Sequence, residues 1–77
     1  MVKACVLVCA ETDKEPYAVE NIRKIKGVKE VSRVYGLYDI VVEVNAGTVD
    51  EVKDVKREIR GVEYVTSTLT LLATESE

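Results

Sequence analysis

The stretch Val34-Tyr35-Gly36-Leu37-Tyr38-Asp39 places a glycine, two tyrosines and an aspartate ahead of the β-branched run Ile40-Val41-Val42-Glu43-Val44. Gly36 would let backbone amides approach a ligand closely. Asp39 offers a carboxylate to a cation, and Tyr38 an amphipathic ring. Thr48 opens the pattern Thr48-x-x-Glu51, a helix start whose unpaired amides and positive dipole end receive anions. Thr66 and Thr68 add hydroxyls from a threonine-rich stretch near the C-terminus. Each residue also has a purely structural reading. Glycine and aspartate make hairpin turns, a threonine caps a helix, a threonine row suits a strand, and tyrosines pack or line an interface.

Other chemistries lack their residues. The 77-residue chain has no histidine and no tryptophan, and its carboxylates fall mostly on predicted helix surfaces. That leaves no general base, haem ligand or polar catalytic cluster. Cys5 and Cys9 lie in one strand-like run, about 13 Å apart if extended. A disulfide spans roughly 7 Å at most, and the spacing is wrong for a Cys-x-x-Cys metal loop. Both read as small buried hydrophobes. No catalytic residue, metal or cofactor is therefore expected. A net charge of −3 and a pI near 5.0 argue against direct nucleic-acid binding, which needs a concentrated basic surface. The apolar run in MVKACVLVCAE is too short to span a bilayer and ends in charge rather than a cleavage site. Two unpaired thiols then point to a reducing cytoplasm. Abundant Lys, Glu and Val, no Gln, and Asn only at 21 and 45 hint at a heat-adapted source.

The elements that must position these residues follow from periodicity. Val2 to Ala10 is apolar on both faces apart from Lys3, so both faces should be covered. A helix of about three turns follows, with Pro16 near its start, Ala18, Val19, Ile22 and Ile25 at helical spacing, and Lys24, Lys26 and Gly27 closing it. Val28 to Tyr35 reads as a second strand and Tyr38 to Val44 as a third, broken by Asn45-Ala46-Gly47. The capping box at Thr48 opens a second helix with Val49, Val52, Val55 and Ile59 on one face, ended by Arg60-Gly61. Val62 to about Ala73 gives the fourth strand, and residues 74–77 a frayed tail.

The order β-α-β-β-α-β carries an internal repeat. Ile25-Lys26-Gly27-Val28-Lys29-Glu30-Val31-Ser32 matches Ile59-Arg60-Gly61-Val62-Glu63-Tyr64-Val65-Thr66 at an offset of 34 residues. Two strand–helix–strand units predict an α+β, ferredoxin-like sandwich with both helices on one face of an antiparallel sheet. The other face should then be polar, yet the first and third strands are apolar on both sides. The fourth offers Val65, Ser67, Leu69 and Leu71 on one side and Tyr64, Thr66, Thr68, Thr70 and Leu72 on the other. A chain this short buries only about 60% of its unfolded surface. A homodimer with two sheets face to face is the expected solution, and a larger ring is compatible with it.

Gly36-Leu37-Tyr38-Asp39-Ile40-Val41-Val42-Glu43-Val44 resembles the Gly-x-Tyr-Asp signature of the ligand-binding (RAM) domain of the Lrp/AsnC family, the feast/famine transcriptional regulators. Ile25-Lys26-Gly27-Val28-x-x-Val31 before it, and Gly61-Val62-x-x-Val65-Thr66-Ser67-Thr68-Leu69-Thr70 after it, extend the resemblance over residues 1–73. A threonine often precedes the motif glycine in that family. Tyr35 stands there instead, which bears on side-chain selectivity more than on the site itself.

The resemblance implies a dimeric α/β barrel, often assembled into rings, that binds a free amino acid as effector. With the first strand beginning at Val2, it implies the stand-alone form without the helix-turn-helix DNA-binding domain, working with a full-length Lrp/AsnC-type regulator or as an effector-dependent oligomer. It places the ligand contacts at Gly36, Tyr38, Asp39, Thr48, Thr66 and Thr68, among which the carboxylate of Asp39 suits the ammonium by its own chemistry. Two alternatives share the element order. An ACT-like domain also binds amino acids, though its glycine belongs between the first strand and first helix, where Glu11 to Glu15 has none. Small dimeric α/β-barrel enzymes share the topology but need the catalytic groups this chain lacks.

Overall fold

The apolar run Val2–Ala10 forms β1, the second strand in from one edge of a four-stranded antiparallel sheet in a computed structural model that describes residues 1–73. The other elements are α1 (Glu15–Ile22), β2 (Val28–Arg33), β3 (Ile40–Ala46), α2 (Val49–Arg60) and β4 (Val65–Leu72), with strand order β2-β3-β1-β4. This is the ferredoxin-like β-α-β-β-α-β arrangement that the duplicated pattern predicts. Because β1 and β2 are each antiparallel to β3, they run parallel to one another. The end of β2, the end of β1 and the start of α1 therefore meet at one end of the sheet. The tail at 74–77 lies outside the described residues. Among those described, no helix is long and apolar enough to cross a membrane.

One face of the sheet carries the core. Ala4, Val6 and Val8 of β1, Val31 of β2, and Ile40, Val42 and Val44 of β3 are buried against Ala18, Val19 and Ile22 of α1 and Val52, Val55 and Ile59 of α2. The strand residues recur at every second position and the helical ones at three- and four-residue steps, as a pleated face beneath two amphipathic helices requires. Val49 is exposed, so the apolar stripe of α2 begins one turn inside the helix. The opposite face is open. Leu7 is paired across the ladder with Val41 on one side and Leu69 on the other, and Cys5 with Leu71. Leu69 and Leu71 remain about half exposed, at 45% and 49%.

The internal repeat is kept in sequence but not in backbone. After α1 the chain tightens through short bonds from Lys24 N to Asn21 O and Ile25 N to Ile22 O, so Ile25 packs on the core from a turn and the helix is two turns, not three. Gly27 then takes φ +100°, and β2 starts at the next residue. A Cβ there would sit 2.9 Å from Val55 Cγ2, so the position needs glycine both for its dihedral and for its contact with α2. In the second unit Gly61 stays right-handed at φ −85°. The left-handed position moves to Tyr64 at φ +77°, and β4 starts three residues later than the pattern predicts. Lys14 Nζ lies 5.3 Å from the Tyr64 ring and 5.5 Å from the Tyr17 ring, and this cation–π contact holds the unusual turn against the start of α1.

A bulge at Thr66 separates the Cys9–Ser67 pair from the Ala10–Val65 pair. It turns Val65 onto the core side rather than the open side shared by Ser67, Leu69 and Leu71, correcting the simple alternation of the sequence. Thr70, opposite Val6, carries a buried hydroxyl without a hydrogen-bond partner among the described residues. Thr70→Val removes that group at nearly constant shape. It should stabilise the fold by about 1 kcal/mol, raising Tm by roughly 4–8 °C in a domain of this size. A Tm unchanged or lowered in calorimetry would show the hydroxyl to be satisfied.

Candidate functional site

β2 and β3 form a hairpin closed by the Val34 N–H donating to Asp39 O at 2.9 Å, with Tyr35 to Tyr38 as its loop. Gly36 sits at the tip with φ +136°, and a Cβ there would meet nothing within 4 Å. Its glycine therefore serves the turn dihedral and not close packing within the chain. Tyr35 and Leu37 on either side are thrown almost wholly into solvent.

Asp39 is more than a turn residue. Its N–H donates to Val8 O at 2.9 Å, and its Oδ2 accepts from the Ala10 N–H at 2.9 Å. These bonds carry the β1–β3 pairing past its last ladder pair, Val8–Ile40. The second carboxylate oxygen has no hydrogen-bond partner among the described residues. On the other side of the same β1 end, the Thr66 hydroxyl donates to Cys9 O at 3.1 Å. Asp39 and Thr66 thus flank the Cys9–Ala10 segment on neighbouring strands, about 10 Å apart. Cys9 Sγ donates to Leu37 O at 3.4 Å and ties the loop to β1.

Beside this end lies a cleft of 260 Å³ lined by Glu15, Arg33, Val34, Tyr35 and Asp39. Glu15 is the first residue of α1 and Arg33 the last of β2. They meet because parallel β1 and β2 end together with the helix start between them. Arg33 lies 3.9 Å from Glu15, with side chains 58% and 18% exposed. So long a pair, with its arginine exposed, holds its partners weakly, and a ligand carrying both charges could part it. The cleft offers one guanidinium to an anionic group, two carboxylates to a cationic group, and the flanks of Val34 and Tyr35 to an apolar substituent. Its volume is below the roughly 300–1,000 Å³ of pockets for drug-sized ligands, so its ligand is small.

Of the six residues the sequence singles out, Asp39 lines the cleft, and Gly36 shapes the loop above it. Tyr38 is half-buried in that loop but is not among the lining residues. Thr66 reaches the same end of the sheet by the β4 side, and Thr68 stands opposite Val8 and faces α2. Thr48 is not brought there within one chain. It follows Ala46, the partner of Val2, and is about 20 Å away along β1. There it caps α2, accepting from Glu51 N at 3.2 Å, while Glu51 Oε1 accepts from Gly47 N at 2.7 Å, one residue before the cap. Arg33 and Glu15 carry no motif and escape a local reading. Their signal is topological, since charged residues at the end of one strand and the start of a helix converge when the two strands of the unit are parallel.

No profile of a described protein family matches the chain. It is similar to TTHA0845 from Thermus thermophilus, with 35% identity and a TM-score of 0.93 over 100% of this chain and 98% of that one. It is similar to FFRP-DM1, with 31% identity and a TM-score of 0.87 over 96% of this chain and 100% of that one. The E. coli AsnC structure shares the fold, at 21% identity and a TM-score of 0.87, and this chain covers 52% of it. Among curated proteins it is 39% identical over 72 residues to the homocitrate synthase of Sulfurisphaera tokodaii and 38% over 69 residues to that of Saccharolobus solfataricus. It covers 16% and 15% of those two proteins' lengths.

Proposed function

The chain belongs to the family of FFRP-DM1, and on that premise we propose that it is an amino-acid-binding regulatory module of the Lrp/AsnC ligand-binding type, working as a homodimer or larger ring rather than as an enzyme. The observation that carries the reading is the cleft in which Arg33, Glu15 and Asp39 come together. A free amino acid is a small zwitterion. It needs a cation for its carboxylate, an acceptor for its ammonium and a wall for its side chain, and the cleft supplies all three.

The assembly half of the proposal rests on the open sheet face, where Leu7, Val41, Leu69 and Leu71 form an apolar surface flanked by Cys5 and Cys9. Two such faces packed together make the dimeric α/β barrel. The module then acts on a full-length Lrp/AsnC-type regulator through the shared interface, or as an effector-dependent oligomer, in a reducing cytoplasm. It needs no cofactor and no direct contact with nucleic acid. The homocitrate synthase match favours a second reading. A segment this similar within a longer enzyme fits an effector-binding part attached to a catalyst, the role of an ACT-like domain, and here the partner would be an enzyme.

A thermal-shift screen of the twenty amino acids, with mass by light scattering, tests the effector claim common to both readings. A ligand that binds the folded state alone raises Tm with its concentration over Kd. One or a few amino acids should raise Tm in this way, and a flat response to all twenty would overturn the effector claim. Pull-down of a full-length regulator, against pull-down of an enzyme, separates the two partners.

A further inference from the structure

The outer side of α2 carries Lys53, Lys56, Arg57 and Arg60 at three- and four-residue steps, a single stripe about 10 Å long. The stripe forms two adjoining hollows. One, of 300 Å³, is lined by Lys56, Arg60, Val65, Thr66, Ser67 and Thr68. The other, of 560 Å³, is lined by Lys53, Lys56, Arg57, Arg60 and Gly61. Lys56 and Arg60 belong to both, so the hollows form one groove between the helix and β4, an edge strand of the sheet.

No carboxylate lines either hollow. Arg57 is paired with Asp54 at 3.0 Å, whereas Lys53, Lys56 and Arg60 have no carboxylate within 4.0 Å among the described residues. The C-terminal end of the helix opposes an anion with about half an elementary charge, which the three unpaired cations outweigh several-fold. The groove is thus locally positive on a chain of net charge −3.

We propose that this groove binds a small ligand bearing two or more phosphoryl groups. Three unpaired cations staggered over two turns, with Arg57 beside them, exceed what one carboxylate would use. With no carboxylate in its lining, the groove lacks the charged partner an amino acid's ammonium finds in the Arg33–Asp39 cleft, which sets the two apart. Guanidinium forks pair with phosphoryl oxygens in a bidentate manner, and the hydroxyl of Thr68, opposite core-side Val8 on the helix side of β4, supplies a further donor. No aromatic ring lines the groove, so the phosphoryl chain itself is the recognised part.

Titration calorimetry with inorganic tripolyphosphate at low salt tests this on the whole chain. The parent should bind it more tightly than inorganic phosphate. The double variant Lys56→Gln/Arg60→Gln should weaken binding by about tenfold or more, as loss of two charge-assisted contacts implies. Lys24→Gln/Lys26→Gln removes the same charge elsewhere and should stay within about twofold of the parent, as expected of exposed, screened charges. Asp39→Asn should leave tripolyphosphate binding unchanged. Equal loss in the two double variants would reduce the effect to net charge and overturn the site. No heat from tripolyphosphate, or equal affinity for inorganic phosphate, would overturn the proposal as well. Tm of each variant, measured in parallel, shows that it is folded.

Discussion

If the proposed face-to-face dimer forms, Leu7→Asp should convert it into monomers, with light scattering falling from the dimer's mass to the 8.6 kDa of a single chain. Leu7 lies at the centre of the open face, with Val41 and Leu69 beside it on the two flanking strands. In a face-to-face dimer the substitution buries two carboxylates without partners. The effective penalty is several kcal/mol per ion, more than the loss of the leucine contacts themselves. Within the chain the cost is small, because the buried residues among those described all lie on the helix side. The far-UV circular dichroism should therefore persist while the mass falls. A variant that keeps the parent's mass would place the subunit contact elsewhere.

The second large effect is on the effector. Asp39→Asn should weaken amino-acid binding by about ten- to a hundredfold, the equivalent of one hydrogen bond to a charged group worth about 1.5–3 kcal/mol. Asparagine retains an oxygen to accept the Ala10 N–H but no longer carries the charge that meets an ammonium. Alanine would be a less specific test. It leaves the Ala10 N–H without its acceptor, which costs about 1–3 kcal/mol of stability if that group stays buried, and so mixes folding with binding. Arg33→Ala should act on the same ligand from its carboxylate end, by a similar factor. Thermal shift and titration together separate the effects. Asp39→Asn should nearly match the parent's Tm without ligand and fail to respond when ligand is added. A full response from Asp39→Asn would remove Asp39 from the ammonium site.

The architecture was legible because each half of the chain repeats one instruction: an apolar strand, an amphipathic helix, then Ile-basic-Gly-Val-x-x-Val. Periods of two and of three to four residues suffice to assign both layers. The departures have local causes that periodicity does not encode. Ile25 fits a helical stripe, yet it packs from a turn because Gly27 must go left-handed against Val55. Asn45 and Ala46 look like breakers but extend β3, since they pair with Lys3 and Val2. Val65 changes face because of a bulge one residue away.

The site was legible only in part, for a different reason. Gly36 and Asp39 form a contiguous motif and could be read directly. Glu15 and Arg33 lie 18 positions apart and become neighbours through the parallel relation of β1 and β2. Thr48 shares the chemistry of a ligand contact but sits at the far end of β1, where it works as a helix cap. Residue type alone could not distinguish these placements, whereas strand direction does.

The central claim is that the cleft recognises a zwitterion through both of its charges. Titration calorimetry of the amino acid that most raises Tm, beside its decarboxylated amine and its deaminated acid, tests this most directly. The intact amino acid should bind, and each analogue should lose affinity by about tenfold or more, as expected when a charged hydrogen-bonding partner is removed. If either analogue bound as tightly as the amino acid itself, the pairing of Arg33 with a carboxylate, or of Asp39 and Glu15 with an ammonium, would be contradicted.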